Sequence, residues 1–389
     1  MNTDAGLDLE LFEFRAAYIA AGPSAMDEIA RGFEPLGMAP SVRLDSPDPA
    51  LAESIASTNA NFAIIPFDTG LPPAQAGPQH EFFSRFAEML DREGVEAIAL
   101  VTASSYIAEG EYAKASWAAR LPGGAPVYYS GEGRRVMACW NRGQWRERTA
   151  GVVKEAVAAG AAGVFLDSVC AGAAPLLIGD SYEGPAGCHC PECRKAFRDH
   201  ANRETDIRSR IPKKLGRMDA DAAQMYARWR VRTQTEALEE IRGVLKGADG
   251  DAVFAVSIPQ FGTLPAETVF GVDPLWAGRR ADVCCTEHNR RTELKKEGLR
   301  YAGAGRQVLR AACAGALPGA LGYALGPSPD TPPDAPWTTA QMGECFSNGV
   351  APVLRLGEYR DTGKEGEVCG WMPGGARDTI YGAAGIFSW

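Results

Sequence analysis

Three cysteines, Cys188, Cys190 and Cys193, stand in C-x-C-x-x-C order in a chain of 389 residues. Thiolates this close in sequence can reach one metal ion together, and tetrahedral zinc takes four such ligands at about 2.3 Å. The turn supplies three of them, so the fourth must come from elsewhere. His189 lies between two ligands and is expected to point away from them. Cys139 lies just before the helix that leads into the strand preceding the cysteine loop. The reading is therefore Zn²⁺ held by Cys139, Cys188, Cys190 and Cys193. Four thiolates leave no open position for water, so such a centre is structural and not catalytic. The chain has ten cysteines. Their clustering, with the adjacent pair Cys284-Cys285, suits reduced thiols and one metal site better than a disulfide framework.

Carboxylates at the ends of apolar runs are the second chemical feature. Ala162 to Leu166 ends on Asp167, and Val283-Cys284-Cys285-Thr286 runs into Glu287-His288-Asn289. Phe62 to Phe67 ends on Asp68, and Pro352 to Leu356 precedes Glu358 and contains Arg355. A carboxylate at the C-terminal end of a doubly buried parallel strand is where an α/β barrel keeps its chemistry. Asp167 and Glu287 are the leading candidates.

These residues need strands and helices to hold them. Short apolar runs alternate with amphipathic segments, which predicts a parallel sheet. The strands expected are 16–20, 41–44, 62–67, 95–101, 163–167, 253–258, 283–286 and 352–356, with 384–389 strand-like. The helices expected are 25–36, 50–57, 81–92, 144–159, 219–246, capped by Asp219, and 341–348. Residues 70–78 are expected to be a Pro/Gly-rich loop, and residues 201–216 to be irregular. A polar, aromatic and glycine-rich stretch, 104–133, has the length of a functional loop. The segment 308–323 fits helix or strand. By length the chain is two average domains or one large barrel.

An apolar fraction of 46% and a charged fraction of 23% suit a globular protein with a large core. The net charge of −9 argues against a nucleic-acid or anionic-membrane partner, since both need a basic face. A neutral or cationic small substrate fits better, and a homo-oligomer is allowed. The acidic N-terminus lacks the features of a secretory signal and no run spans a bilayer, which reads as cytoplasmic. No P-loop, no H-E-x-x-H and no strand-linked Gly-x-Gly-x-x-Gly is present; four histidines without an H-x-H pair make no hydrolase-type metal centre.

Gly133-Arg134-Arg135 running into Cys139, then Asn141 and the Trp145-Arg146 helix, then Cys-x-Cys-Pro-x-Cys-Arg-x-Ala-Phe-Arg at 188–198, resembles the zinc-containing β-galactosidases of glycoside hydrolase family 42. It also resembles the broader set of glycoside-hydrolase-like barrels related to them. The resemblance covers about residues 125–200 with specific motifs. It implies a (β/α)₈ TIM barrel with a structural zinc knot after the central strand and sugar bound at the C-terminal strand ends. On that reading 1–389 is a single barrel, 168–216 is a zinc-containing insertion, and 370–389 is an accessory or truncated element. The chain departs from the family in carrying Leu166-Asp167 where the family has an Asn-Glu pair, so β-galactosidase specificity does not carry over.

Glycoside hydrolysis needs two carboxyl groups, about 5–5.5 Å apart for retention of configuration and 6.5–9.5 Å for inversion. If Asp167 ends strand four, Glu287 falls on strand six, similar to retaining clans with the nucleophile on strand four and the acid/base on strand six. Asp167 is expected to be the nucleophile and Glu287 the acid/base. Asp68, His288, Asn289, Arg355 and Glu358 are candidates for sugar hydroxyls, with Asn141 near the cysteine site. Aromatic rings stack on sugar C–H faces, and Tyr106, Trp117, Trp140 and Tyr182 are the candidates for that contact. The alternatives are a non-hydrolytic sugar-binding barrel and a transferase or phosphorylase using the same carboxylates.

Overall fold

The computed structural model describes residues 47–56, 60–128, 135–167, 169–170, 187–204, 211, 220–258, 271–288 and 350–356. It also describes the strands 16–19, 38–40, 293–295, 298–300, 317–322, 359–361 and 368–369.

Eight parallel strands carry the fold: β1 (Ala16–Ile19), β2 (Phe62–Asp68), β3 (Glu96–Thr102), β4 (Gly163–Asp167), β5 (Val253–Ile258), β6 (Val283–His288), β7 (Leu317–Gly322) and β8 (Ala351–Leu356). Each pairs with its neighbour in chain order, and β1 pairs with both β2 and β8, so the strands form a ring of hydrogen-bonded neighbours. The described helices lie between strands: α1 (Pro49–Ala56), α2 (Pro73–Arg92), α3 (Gly143–Ala158), α4 (Pro191–Glu204), α5 (Ala220–Ala248) and α6 (Pro274–Arg280). None of them is long and apolar enough to cross a membrane.

The near-continuous apolar character of the strands follows from burial on both faces. Alternate residues divide into an inner cluster, with Ile64, Ile98, Phe165, Ala255, Cys285 and Val353, and an outer one, with Ile65, Val101, Val164, Leu166, Phe254 and Val256 packed toward the helices. Gly163 opens β4 where a Cβ would stand 2.4 Å from the Val253 carbonyl oxygen, so any side chain there would force β4 and β5 apart. Asp282, just before β6, is buried; it accepts from the Phe254 N–H at 2.8 Å and pairs with Lys246 Nζ at 2.9 Å, tying β6 to β5 and α5.

The strands expected at 62–67, 163–167, 253–258 and 352–356 are present within a residue or two. Differences arise where proline misled the reading. Residues 73–80 belong to α2 and are not loop. Pro73 sits in the first turn, where its missing N–H and fixed φ cost nothing. Pro78 loses one helical hydrogen bond, but Ala76, Gln79, Phe83, Phe86 and Leu90 keep one buried face through it. The Gln79 amide also donates to the Pro66 carbonyl at 2.6 Å. Helix α4 extends to Glu204 through residues expected to be irregular. Within 308–323 the described part, 317–322, is strand. The expected elements at 25–36, 41–44, 341–348 and 384–389, the Asp219 cap and the segment 370–389 lie outside the described residues.

Candidate functional site

The loop between β3 and α3 is built, not loose. Residues Ser105–Ile107 pair antiparallel with Arg135–Met137, which delivers Cys139 to the C-terminal side of the barrel. The loop between β4 and α4 brings Cys188, Cys190 and Cys193 to the same place. Gly187 enters this loop at φ +153° with Tyr226 Oη only 1.9 Å from where a Cβ would be. A side chain at 187 would displace the loop from α5.

The four sulfurs lie within 4.8 Å of one another and all four cysteines are buried. Cys139 Sγ is 3.3 Å from Cys193 Sγ and 3.8 Å from Cys190 Sγ. Sulfurs on a tetrahedron around zinc at about 2.3 Å stand about 3.8 Å apart, so the donor set fits a four-thiolate ion. Backbone N–H groups point at the sulfurs: Arg120 and Cys190 donate to Cys188 at 3.3 and 3.4 Å, and Cys193 donates to Cys190 at 3.4 Å. Asn141 Nδ2 donates to Cys193 at 3.3 Å. Hydrogen bonds from Cys139, then from Cys188 and Cys193, hold the Cys190 thiol well below the usual range. Cys139 and Cys193 are pushed up, chiefly by hydrogen bonding within the cluster. His189 is not one of the clustered ligands; its N–H donates to the Arg120 carbonyl at 2.7 Å. The Arg142–Glu192 ion pair joins the residue before α3 to α4 beside the cluster.

The cluster is connected to the end of β4. Trp140, next to Cys139, donates from its indole N–H to the Cys170 carbonyl at 3.0 Å, and the Cys170 N–H donates to Ser104 Oγ at 2.9 Å. The Asp167 carbonyl accepts from the Ala103 N–H at 3.0 Å, and the Val169 N–H donates to the Ser257 carbonyl at 3.0 Å. The backbone on both sides of Asp167 is therefore held from β3 and β5.

Strand register shows which positions share a layer. Phe165 pairs with Ala255, which pairs with Val283; Cys285 pairs with Gly319, which pairs with Ala351. Val353 pairs with Ala16, which pairs with Phe62, and Ile64 pairs with Ile98, which pairs with Gly163. Because the strands tilt by about 36°, each second strand is offset by two residues, and four such offsets make the shear of about 8 for this barrel type. Ile64, Phe165, Cys285 and Val353 thus form one layer. The layer above it, toward the C-terminal ends, consists of positions 66, 167, 287 and 355. Asp167 and Glu287 fall on strands four and six, as expected, and Arg355 joins them.

Other expected site residues have partners inside the protein. A register irregularity between Pro66 and Asp68 takes Asp68 out of the strand alternation. Its carboxylate is 2% exposed, pairs with Arg148 Nη2 at 2.7 Å and accepts from the Gly70 N–H at 2.9 Å. Tyr106 is buried against Tyr112, Trp117 and Trp145, and burial raises its hydroxyl above the ordinary tyrosine range. Trp117 is half-buried in the same cluster, and Trp140 is buried. Asn141 serves the cysteine cluster. His288 lies in β6 and Arg355 in β8. Tyr182, Asn289 and Glu358 lie outside the described residues.

Two residues were not singled out from the sequence. Arg148, whose guanidinium also lies 4.9 Å from the Trp145 ring, is one helical arginine among several and carries no motif. Ser257 is fully buried, shares the inner face with Val253 and Ala255, and its hydroxyl has no partner among the described residues. A serine in an otherwise apolar strand, Val-Phe-Ala-Val-Ser-Ile, was the available signal.

No family model matches the chain, and no curated protein matches it. Solved structures do. The glycoside hydrolase domain of PgaB (BpsB) from Bordetella bronchiseptica matches with a TM-score of 0.57 at 14% identity, over 88% of this chain and 93% of that domain. The polyextremophilic β-galactosidase of the Antarctic haloarchaeon Halorubrum lacusprofundi matches with a TM-score of 0.59 at 15% identity, over 87% of this chain but 56% of that one. The catalytic domain of β-amylase from Paenibacillus polymyxa matches with a TM-score of 0.56 at 11% identity, over 88% and 92%. The chain therefore shares the barrel fold of these glycoside hydrolases, and at such identities the likeness is one of fold.

Proposed function

We propose that the protein is a retaining glycoside hydrolase, with Asp167 as nucleophile and Glu287 as acid/base, and that its four cysteines hold a structural zinc ion. The observation that carries this reading is the strand register: positions 167 and 287 belong to one layer at the C-terminal ends of β4 and β6. In the first step the Asp167 carboxylate attacks the anomeric carbon while Glu287 protonates the departing oxygen. Water then releases the sugar, with Glu287 as base. Arg355, on the same layer, supplies positive charge beside the carboxylates, whereas His288, next to Glu287 in β6, falls on the opposite face of the strand. The zinc ion fixes the loops on either side of α3 and takes no part in the chemistry. The substrate is a small glycoside or oligosaccharide, and the enzyme works in the cytoplasm.

A panel of α- and β-aryl glycosides of galactose, fucose, arabinose, glucose and mannose tests the activity. Proton NMR of the first-formed product of any hit distinguishes retention from inversion. Full activity in both Asp167→Asn and Glu287→Gln would remove the assignment of roles.

A further inference from the structure

The four sulfurs of the cysteine cluster are not equivalent. Cys188 accepts two backbone N–H groups, Cys190 accepts one, and Cys193 accepts the Asn141 amide. Among the described residues no N–H points at Cys139 Sγ; its neighbours there are the other thiols. Such donors matter once a metal has displaced the protons, because they draw charge from a thiolate and blunt its nucleophilicity. The cluster also borders a small pocket of about 30 Å³ lined by Cys139, Cys188, Cys193, Trp140, Tyr226 and Trp229, among others, which Cys190 does not reach. Of the three cysteines on the pocket, Cys139 alone has no N–H donor among the described residues.

We infer that Cys139 is the reactive ligand of the metal site: a small soft electrophile entering by the pocket attacks Cys139 first and thereby releases the ion. This rests on the reading of the cluster as a metal site. With a haloacetamide the Cys139 thiolate forms a C–S bond, the carbon–halogen bond breaks and halide leaves. The resulting thioether is a poor zinc ligand, and the ion departs with its three remaining thiolates taking up protons. Cys139 is also the ligand that comes from the β3–α3 loop, whereas the other three lie together in the β4–α4 loop. Its loss therefore unties one loop from the other and leaves three ligands on one side.

The test uses the full chain as purified. Metal content is measured first by elemental analysis; a metal-free protein overturns both this inference and the metal reading. The metal-bound protein is then treated with limiting iodoacetamide. Peptide mass spectrometry follows each cysteine, and a chromogenic chelator follows released zinc. Cys139 should be alkylated about fivefold faster than each of the other three ligands, the effect of one missing hydrogen bond, with zinc appearing in step. Equal rates at the four, Cys188 reacting first, or alkylation of Cys139 without zinc release would overturn the inference while leaving the metal site standing. Asn141→Leu, which removes the donor to Cys193, should raise the rate at Cys193 toward that at Cys139. An unchanged rate at Cys193 in that variant would overturn the role given to the hydrogen bonds.

Discussion

Asp68 and Asp167 carry the same local signal: an apolar run buried on both faces that stops on an aspartate. Asp68 ends β2 beyond a register irregularity, 2% exposed, with its charge answered by Arg148 and the Gly70 N–H. Asp167 ends β4 in regular alternation, half-buried, on the layer that includes positions 287 and 355. One residue of strand irregularity takes Asp68 off the layer that Asp167 keeps, and one arginine from α3 fixes Asp68 in a structural ion pair. A strand-end acid in a barrel is thus a candidate only after its register and its counter-charge are known.

The contrast predicts effects of different kinds. Asp167→Asn should lower turnover on an active aryl glycoside by about a thousandfold or more and leave the unfolding midpoint nearly unchanged; a large loss of stability would make Asp167 structural as well. Cys190→Ser should release the metal and destabilise the fold by an amount on the order of 5 kcal/mol, seen as lost zinc in elemental analysis and a lower denaturant midpoint. Its disturbance should spread through Trp140 and Cys170 to the end of β4, read as faster amide exchange there. Asp68→Ala strands the buried Arg148 charge and should cost about 3 kcal/mol. The pair Asp68→Leu with Arg148→Met should recover much of that in urea unfolding. If Asp68→Ala instead leaves stability intact and raises KM, Asp68 belongs with the substrate.

The smallest effect concerns His80, which stacks on Phe67 at 4.0 Å just outside β2. Burial lowers its pKa from 6.5, outweighing the attraction of Asp68. The unfolded chain therefore binds this proton more readily than the folded one. Stability from His80 is complete above pH 6.5 and is lost as pH falls through its folded value. His80→Gln should flatten this part of the acid limb, measured as the difference in unfolding free energy between variant and parent from pH 7 downward. An identical limb in both would assign the pH dependence to other groups.

The cysteine cluster was legible because its signal is chemical and local: three thiols within six residues have few other uses, and Cys139 had the right place in the chain order. The strands were legible because double burial leaves no room for polar residues. Taking Asp167 as the end of the fourth strand and counting onward placed Glu287 on the sixth. The start of α2 was not legible, since Pro73 and Pro78 read as loop until the buried face from Ala76 to Leu90 was seen to continue through them. Nor was the 104–133 region, where Tyr106, Tyr112 and Trp117 pack on one another and on Trp145 of α3, since stacking for a core and stacking for a sugar draw on the same residues.

The sequence by itself determined the alternation of buried strands and helices and the chemical character of the cysteine cluster, because both rest on residue type and short spacing. Only the tertiary structure decided that Asp68 pairs with Arg148, which positions share a barrel layer and which sulfurs of the cluster accept N–H groups. Those depend on strand register, on a single irregularity in β2 and on groups from loops and helices far apart in the chain, and no local pattern encodes them.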